Sequence, residues 1–450
     1  MKAENKKDSN RRIQAIATSL QSQFKSGNKF KAILVMIRLL GGLIKRIMSE
    51  HRTTEIAVNV FRELTHVFYN RKICLEDPIV KMSINNGDKS LEYYQSEFNK
   101  KNSKYYKLST INTLIFNAAL DNEGVLWVIS SNKVLKSYNK GDTCEVIYEF
   151  DESIRGIFIS SKNYIFTSCG GCLYRSKNAG QSFEKILTFS EEFTVLENRS
   201  ITEDDKKRLF VGEYGNKRDT KQNKIVNAWI YWSNDDGDSW EKTDFLCKDG
   251  ATHVHMLQFN PYEKKLYLAE GDSKKRLWVN ESMECFSKFY KSNNNEKKGW
   301  RLLRKGMIDT GGYLCMTGFE NSTYLGTDYA GGINFLVHFD DDYKFTKYSM
   351  TGKYRKNPIK KLAIMKGSSG NEIFGFSHNQ LHSHKLGNGT FSFNESTGEA
   401  KLIVDQRYFY KKTMFVAPAK PFDVNCFLFI KFGEVTMRLD FIGSTDASDI

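Results

Sequence analysis

Two short segments place side chains capable of acid–base chemistry close together along the chain. Glu213 and Tyr214 are adjacent, and His253 and His255 stand two positions apart. Residues two apart on a strand share one face, so the imidazoles could act as paired bases, metal ligands or sugar contacts. Adjacent residues point to opposite faces, so Glu213 and Tyr214 can act together only if a bulge or loop turns one of them. Two structural histidines are the alternative interpretation.

Further carboxylates and cations follow in other segments. Asp272 and Asp328 each come after an apolar run, which suits a general acid, a metal ligand, a hydroxyl acceptor or simply a turn-stabilising aspartate. Guanidinium groups bind carboxylates through two parallel hydrogen bonds, so converging arginines would hold an acidic substrate. Each arginine taken alone is also compatible with an ordinary surface position. The predicted substrate-binding residues are Arg155, Arg199, Trp300 and Arg301.

The elements that carry these residues are short β-rich runs separated by turns. From about residue 110 they repeat with a period of about 40–50 residues and four strands per unit, which is typical of propeller blades. Units are predicted over 114–150, 154–189, 195–245, 253–290, 300–350, 359–404 and 414–441. The sequence therefore predicts a mainly β fold, a six- to seven-bladed β-propeller with seven preferred. Ligands of propellers bind at the channel mouth, where inner strands begin and second strands end, and the candidate residues fall at those positions.

A turn motif supports the blade pattern. Residues 231–240 read YWSNDDGDSW, and residues 176–183 read SKNAGQSF. Asn and Asp bond the backbone two residues on, and Gly accepts a positive φ, so both segments predict tight hairpins. The spacing Ser-x-Asp-x-Gly-x-x-Trp is that of the Asp-box, or bacterial neuraminidase repeat. In the first segment, we assign Trp232, Trp240 and the turn aspartates to folding.

The chain resembles a group of sialidase-like, neuraminidase-repeat proteins associated with bacterial polysaccharide genes. The similar segments are 212–216, 233–240, 253–262, 268–272, 300–301 and 324–328, within about 195–340. The resemblance implies a propeller with a carbohydrate-facing mouth, and Glu213 beside Tyr214 is similar to the glutamate-activated tyrosine nucleophile of sialidases. True sialidases carry an Arg-Ile-Pro segment that this chain lacks, so an authentic sialidase is not expected.

The net charge and the cysteine content of the chain limit the classes of binding partner that can be predicted. The formal net charge of +14 allows anionic partners. The eight cysteines are scattered along the chain, which predicts free thiols in a reducing compartment. We find no nucleic-acid-binding module, so nucleic acid is not a predicted partner. The segment Cys169-Gly-Gly-Cys172 provides only half of a closed zinc site. No metal and no cofactor are predicted.

The predicted organisation is a helical extension over 1–75, a connector over 76–109, the propeller over 110–441 and a loose tail over 442–450. Residues 29–48 combine an apolar run with flanking lysines and arginines. They are too short and too charged to span a bilayer, but they suit contact with an anionic membrane surface or burial against neighbouring helices. Because the charged Met1–Arg12 is not followed by a signal-peptide core, we expect a cytoplasmic protein, in part peripheral to the inner membrane.

The function predicted from these features is recognition or processing of an acidic glycan or polysaccharide intermediate. A glycoside hydrolase would draw on Glu213, Tyr214, Asp272 and Asp328, since glycoside hydrolysis uses paired carboxyl groups or a Tyr/Glu nucleophile with an acid. A polysaccharide lyase would draw on His253, His255, Tyr214 and Arg301, as base and carboxylate neutraliser. The alternative from another class is a non-catalytic protein-interaction propeller tethered by its N-terminal helices. The sugar, the linkage, the occurrence of catalysis and the oligomeric state are not predicted.

Overall fold

The computed structural model describes residues 60–63, 71–75, 77–83, 91–102, 104–189, 198–214, 218–219, 224–225, 228–243, 246, 253–271, 274–281, 283, 299–305, 311–329, 332–367, 370–379, 387–407 and 413–442. The chain divides into two compact units, Met1–Lys72 with Gly331–Ile333, and Ile73–Ala330 with Asn334–Ile450. Of the predicted helical extension over 1–75, residues 60–63 are described and helical, whereas the described residues 71–75 contain the short strand Lys72–Ile73. The predicted membrane-contact segment 29–48 and residues 443–450 lie outside the described residues. No helix within the described ranges is long and apolar enough to cross a membrane.

The second unit is built from strands that form successive antiparallel sheets. Before the first complete sheet come β1 (Lys72–Ile73), β2 (Val80–Ser83), α1 (Leu91–Asn102) and β3 (Tyr106–Ile111). Blade 1 contains β4 (Asn117–Leu120), β5 (Leu126–Ser130), β6 (Lys133–Ser137) and β7 (Glu145–Glu149). Blade 2 contains β8 (Ile154–Ile159), β9 (Ile165–Cys169), β10 (Cys172–Ser176) and β11 (Glu184–Thr188). Blade 3 contains β12 (Ile201–Glu203), β13 (Leu209–Gly212), β16 (Ile230–Ser233) and β17 (Glu241–Thr243), with the hairpin β14 (Arg218–Asp219) and β15 (Lys224–Ile225) inserted.

The remaining blades follow the same order from inner to outer strand. Blade 4 contains β18 (Val254–Asn260), β19 (Lys265–Glu270), β20 (Leu277–Asn280) and β21 (Trp300–Arg304). Blade 5 contains β22 (Tyr313–Phe319), β23 (Ser322–Thr327), β24 (Phe335–Phe339) and β25 (Thr346–Met350), with β1 at its outer edge. Blade 6 contains β26 (Ile359–Gly367), β27 (Gly370–Ser377), β28 (Asn388–Phe393) and β29 (Ala400–Arg407), with β2 at its outer edge. Blade 7 contains β30 (Thr413–Val416), β32 (Phe427–Phe432), β33 (Val435–Phe441) and β3, while β31 (Val424–Asn425) pairs with β26.

Seven sheets of four or more strands therefore occur in the described residues, and the prediction of a six- to seven-bladed propeller is confirmed. Buried apolar clusters join neighbouring blades. Trp127 and Ile159 belong to the cluster between blades 1 and 2, and Val128 and Phe429 to the cluster between blades 7 and 1. These clusters remove apolar surface from water at each blade junction, which is the main force holding such a ring together.

The ring closes by pairing strands from opposite ends of the propeller sequence. β3 forms the outer strand of blade 7, with Leu108 opposite Leu439 of β33. Helix α1 packs beside β3, where the Asn99 side chain exchanges hydrogen bonds of 2.8 and 3.1 Å with the Leu108 backbone. The predicted connector over 76–109 therefore needs correction, since it contains β2, α1 and most of β3. The four-stranded blade 7 is completed by β3, which begins at Tyr106, and β1 and β2 are added at the outer edges of blades 5 and 6.

Three hairpin turns share one hydrogen-bond pattern, and two of them are the predicted ones. In blade 3, Ser233 Oγ accepts from Gly237 N at 2.8 Å, and Asp235 Oδ1 accepts from Ser239 N at 2.9 Å. The equivalent bonds in blade 2 involve Ser176 with Gly180 and Asn178 with Ser182. Blade 1 repeats them with Ser137 and Gly141, and with Asn139 and Thr143. The turn in blade 1 was missed because it has Asn for Asp and Cys144 in place of the final aromatic residue.

Buried arginines tie two of these turns to the preceding blade. Arg175 of blade 2 is 2% exposed, and it donates to Asp236 O at 2.7 Å and to Asp238 Oδ1 at 2.6 Å. Arg438 of blade 7 repeats the arrangement on blade 1, at Lys140 O (3.1 Å) and Asp142 Oδ1 (2.7 Å). The carbonyl and the carboxylate occupy the same two positions of the turn in both cases. The turns thus serve blade-to-blade attachment, in agreement with the folding role assigned to them.

A segment of blade 7 lies across one end of the central channel. We call Ala417–Asn425 the plug. Its contacts reach the other six blades: Pro418 O with Leu120 N (2.9 Å), Lys420 with the Phe158 ring (5.5 Å) and Glu203 Oε2 (4.0 Å), Phe422 with the Tyr262 ring (6.2 Å), Pro421 O with Thr317 Oγ1, and Asn425 Nδ2 with Ile364 O (3.2 Å). The plug contains two of the five prolines in the sequence, which restrict its backbone.

Candidate functional site at the channel mouth

The opposite end of the channel, where inner strands begin and second strands end, is shaped by repeated β-bulges. The strand register shifts at the second residue of the inner strand in blades 2, 4, 5 and 6. The bulged residues are Arg155, His255, Leu314 and Lys360. A bulge places one extra residue in a strand and re-aims its side chain. Three of the four re-aimed side chains carry basic groups, so the bulges concentrate such groups at the mouth.

Tyr214, His253 and His255 form one cluster of rings at this mouth. The ring centroids of Tyr214 and His253 are 4.3 Å apart, and those of His253 and His255 are 4.9 Å apart. Tyr214 is stacked on His255, at 5.9 Å and an interplanar angle of 24°. Each histidine is 2% exposed, whereas Tyr214 is half-buried. The structure therefore brings three of the predicted catalytic residues together, from the segment after the second strand of blade 3 and from the start of the inner strand of blade 4.

The environment of His255 keeps its imidazole neutral. Burial lowers the pKa of His255 well below its ordinary value, and the neighbouring charges of His253, Arg199, Lys275 and Lys360 lower it further. A buried base loses hydration when it charges, and nearby cations repel the additional proton. The mouth therefore combines an uncharged ring nitrogen with several cations. Such a set suits an anionic ligand and could also supply a proton acceptor.

Lys275 is a member of the site that the sequence did not indicate. It is 3% exposed, and its Nζ donates to Asp328 O at 2.8 Å and lies 5.2 Å from the Tyr329 ring centroid. The residue has a positive φ of 54° in the loop between β19 and β20, which is uncommon for lysine. No sequence pattern distinguishes Lys275 or Lys360 from the many other lysines of the chain. Only the positions of the loop and of the bulge identify them.

A series of backbone hydrogen bonds joins the mouth segments of blades 3, 4 and 5. The donors and acceptors are Val254 N to Glu213 O (3.0 Å), Gly271 N to His253 O (2.9 Å), Lys275 N to Gly271 O (3.2 Å), Gly312 N to Lys275 O (3.0 Å) and Asp328 N to Gly312 O (2.8 Å). Main-chain bonds of this kind hold loops in a single geometry, because buried amides and carbonyls must be paired. The positions of the ring cluster and of Lys275 are thereby coupled.

Glu213 lies beside the cluster in sequence, but its carboxylate is directed elsewhere. The residue is fully buried, and its Oε2 accepts a 2.9 Å hydrogen bond from the Tyr231 hydroxyl within blade 3. Glu270, one blade further on, is equally buried and accepts from Arg276 Nε (2.8 Å) and Trp278 Nε1 (2.8 Å). The same kind of bond in two successive blades indicates a structural carboxylate. The predicted pairing of Glu213 with Tyr214 as an activated nucleophile stays a prediction.

The predicted inner-strand start at Trp300 and Arg301 is wrong. Both residues belong to β21, the outermost strand of blade 4. Trp300 is 6% exposed and packs in the apolar cluster between blades 3 and 4. Arg301 forms an ion pair with Glu281 and covers the Tyr343 ring at 4.7 Å. The predicted unit 253–290 therefore ends too early, because the outermost strand of blade 4 is Trp300–Arg304. The predicted role of Trp300 and Arg301 in substrate binding depended on a position at the start of an inner strand.

The remaining candidates have separate outcomes. Arg155 is exposed at the bulge of blade 2, two blades away from His255. Arg199 lies in the one-turn 3-10 helix Asn198–Ser200 that leads into β12. Asp328 is 8% exposed at the end of β23, and Asp272 falls outside the described residues. The predicted catalytic and substrate-binding roles of these residues stay predictions.

Below the mouth, the central channel contains a cavity of about 290 Å³. Inner strands of all seven blades contribute to its wall, among them Asn117, Ile157, Ile201, Gln258, Cys315, Lys361 and Val416. Arg199 lines the cavity and is also close to His255. Arg199 therefore borders both the cavity and the mouth. The plug residues Ala417–Asp423 line its other end.

Comparisons with known proteins leave the family of this chain open. No protein-family model matches the chain, and no curated protein matches it. Among solved structures, a chain of the mitotic checkpoint complex is 10% identical, with a TM-score of 0.49 over 75% of this chain and 94% of that chain. The extracellular domain of a one-component system from B. thetaiotaomicron is 11% identical, with a TM-score of 0.48 over 75% and 40%. YCF48 from Cyanidioschyzon merolae is 10% identical, with a TM-score of 0.47 over 75% and 98%.

The strand pairing and the closed ring of sheets define the class of the protein as a β-propeller. Its distinguishing feature is a mouth that carries stacked Tyr and His rings among cations. Membership of the sialidase-like group remains a prediction from the sequence motifs.

Proposed function

We propose that this propeller binds an acidic glycan, or a sugar intermediate bearing a carboxylate, at the channel mouth. The observation that carries the proposal is the convergence of Tyr214, His253 and His255 with the charges of Arg199, Lys275 and Lys360. Aromatic faces and imidazole nitrogens suit sugar rings and hydroxyl groups, and cations suit a carboxylate. A propeller fold by itself is compatible with carbohydrate binding and with protein interaction, so the proposal depends on the chemistry of the mouth.

The neutral imidazole supports a second candidate, a lyase reaction on a uronate. His255 would remove the proton next to the carboxyl group while cations neutralise the carboxylate. The electrons of the broken C–H bond would form the carbon–carbon double bond, and the leaving oxygen would depart with the electrons of the C–O bond and take up a proton from water. Hydrolysis by paired carboxyl groups would require two such groups about 5–9.5 Å apart. Of the predicted carboxylates, Glu213 is engaged with Tyr231. Formation of an ultraviolet-absorbing unsaturated product from polyuronate would reveal lyase activity.

Titration calorimetry tests the binding proposal with galacturonic acid and N-acetylneuraminic acid as probes and neutral galactose as the comparison. We expect an acidic probe to bind, and Lys360→Gln and His255→Gln each to weaken that binding by about tenfold or more. Arg301→Gln is the matched control, because this cation lies on an outermost strand. Equal binding of galactose, or equal affinity of the Lys360→Gln and Arg301→Gln proteins, would contradict the proposal.

A further inference from the structure

Two buried thiols lie opposite each other at the mouth end of blade 2. Cys169 ends β9 and Cys172 begins β10, and the two residues are direct partners in the strand register. The connecting Gly170 and Gly171 have φ values of 55° and 71°, and a positive φ at both central residues is typical of the tight type I′ hairpin. Residues directly opposite on paired strands project to the same face, so both thiols lie on one side of the sheet.

Both thiols are free, and each donates to an acceptor on an exposed residue. Cys169 Sγ donates to Glu152 O at 3.2 Å, and Cys172 Sγ donates to Thr188 Oγ1 at 3.8 Å. The two cysteines are 5% and 9% exposed, whereas Glu152 and Thr188 are exposed. The thiols are thus shielded from bulk water, but they border the surface, and a small ion has only a short path to them.

The spacing of this pair suits a bridging ion better than a disulfide. Opposite residues of a sheet have Cβ atoms about 4.5–5.5 Å apart, whereas a disulfide usually holds them about 3.5–4.5 Å apart. Two metal–sulfur bonds of about 2.3 Å, arranged in line, separate their sulfur atoms by about 4.6 Å. Parallel cysteine side chains therefore place two sulfur atoms at the span of a two-coordinate ion, without drawing the strands together.

The environment of Cys169 also disfavours redox exchange. Burial raises the pKa of Cys169, and the charge of Glu152 raises it further. The thiolate is the nucleophile in disulfide exchange, so a thiol that stays protonated reacts slowly with small disulfides. A metal ion can still displace the protons, because each metal–sulfur bond replaces an S–H bond.

We propose that Cys169 and Cys172 form a two-coordinate site for a soft monovalent cation, with Cu(I) as the favoured ion. Thiolate ligands select soft ions. A closed zinc site needs four ligands, and no group of three or more His, Cys, Asp or Glu that could hold a metal occurs in the part of the chain that the structure describes. On binding, both thiols release their protons to water and two copper–sulfur bonds form, with no change of oxidation state. The Thr188 hydroxyl can then donate to the Cys172 thiolate.

Competition with bicinchoninate, a chelator that is coloured when it holds Cu(I), tests this site on the full reduced chain in the absence of oxygen. We expect one tightly held Cu(I) per chain. Cys169→Ser and Cys172→Ser should each weaken its binding by about a hundredfold or more, because the second sulfur otherwise binds at a high effective concentration. Cys144→Ser and Cys426→Ser are the matched controls, since these thiols lie outside the hairpin. Equal affinities of the hairpin variants and the control variants would overturn the proposal.

Copper K-edge absorption of the wild-type protein is a measurement that does not depend on the folding of a variant. Two sulfur neighbours and no other ligand are expected, and three or more ligands would overturn the two-coordinate site.

Glu152→Gln separates the charge of this residue from ligation. The Glu152 carboxylate lies beside the hairpin, since a Cβ atom built on Gly170 would be 3.0 Å from its Oε1. Two thiolates with one Cu(I) carry a net negative charge, so removal of the carboxylate should tighten binding modestly. A marked loss of affinity would instead make Glu152 a ligand and overturn the proposal.

Oxidised glutathione supplies the comparison with redox chemistry. Rapid formation of a Cys169–Cys172 disulfide, in a protein that does not retain Cu(I), would assign the pair to thiol–disulfide exchange and overturn the metal site. None of these outcomes depends on sugar binding at the mouth, so the site and the proposed function are tested separately.

Discussion

Gly271 approaches the His253 ring so closely that no side chain fits between them. A Cβ atom built on Gly271 would lie 2.1 Å from His253 Nε2 and 2.2 Å from Cδ2. Non-bonded heavy atoms pack at about 3.5–4.0 Å, so either the ring or the loop would have to move. Gly271 N also donates to His253 O at 2.9 Å. The glycine therefore sets the position of the imidazole in the mouth.

The substitution Gly271→Ala is expected to displace His253 and to lower affinity for an acidic sugar about as much as His253→Ala does. Because the ring can rotate more easily than the backbone can move, the fold should persist, and the free energy of unfolding should decrease by roughly 1–3 kcal/mol. Calorimetry and urea unfolding check the two quantities. The double variant Gly271→Ala/His253→Ala provides the control. If the double variant loses as much free energy of unfolding as the two single variants together, steric conflict with the His253 ring is not the cause of the loss in Gly271→Ala.

Tyr231→Phe should reduce stability without changing ligand affinity. It removes the hydroxyl that donates to Glu213 Oε2 at 2.9 Å, and a buried carboxylate that loses a donor costs about 1–3 kcal/mol. Tyr214→Phe is the matched comparison, with the opposite result expected: nearly unchanged unfolding and weaker binding. Weaker ligand binding in Tyr231→Phe with normal stability would assign Glu213 to the mouth after all.

Arg175→Ala should destabilise the attachment of blade 3 to blade 2. The buried guanidinium donates to Asp236 O, Asp238 Oδ1 and Glu184 Oε1, and loss of such charge-assisted bonds costs about 1.5–3 kcal/mol. In the control Arg301→Ala, the ion pair with Glu281 is about half exposed, so the cost should be about 0–1 kcal/mol. Urea titration measures both, and equal losses would show that burial of Arg175 adds nothing.

Asn425→Ala should loosen the plug locally. The Asn425 side chain is buried, donates to Ile364 O at 3.2 Å and accepts from Ala419 N at 2.9 Å. Its removal leaves two backbone groups without these partners, so amide hydrogen exchange should accelerate in the plug while the strands of blades 1–3 keep their protection. Asn371→Ala, at an exposed position of β27, is the control. Unchanged exchange at Ala419 would contradict the role given to Asn425.

Stability should decline with acidification in a way that depends on His255. Its pKa in the folded protein is well below the ordinary value of 6.5. Between those two values the unfolded chain binds a proton that the folded chain does not, so the free energy of unfolding falls as the pH decreases below about 6.5. His255→Gln should flatten the decline in melting temperature between pH 7 and pH 5. Parallel curves for wild type and variant would exclude a depressed His255 pKa.

The sequence alone allowed most of the blade boundaries to be predicted, because side chains alternate with a period of two and because turn formers separate the strands. The unit predicted over 154–189 agrees with blade 2, whose strands run from Ile154–Ile159 to Glu184–Thr188. Local patterning suffices there, because each hairpin is made of neighbouring residues.

Other features depended on contacts between distant parts of the chain. Nothing local marks β3 as the outer strand of blade 7, since its partner β33 lies more than three hundred residues away in sequence. β20 ends at Asn280 and β21 begins only at Trp300, so the outer position of Arg301 could not be predicted from the strand spacing. The bulge that distinguishes Lys360 from other lysines exists only when two strands are paired. Turn chemistry and strand periodicity are local and could be predicted from sequence. The mouth, the cavity and the plug arise where seven sheets meet around one axis, and only the tertiary structure decides which side chains face it.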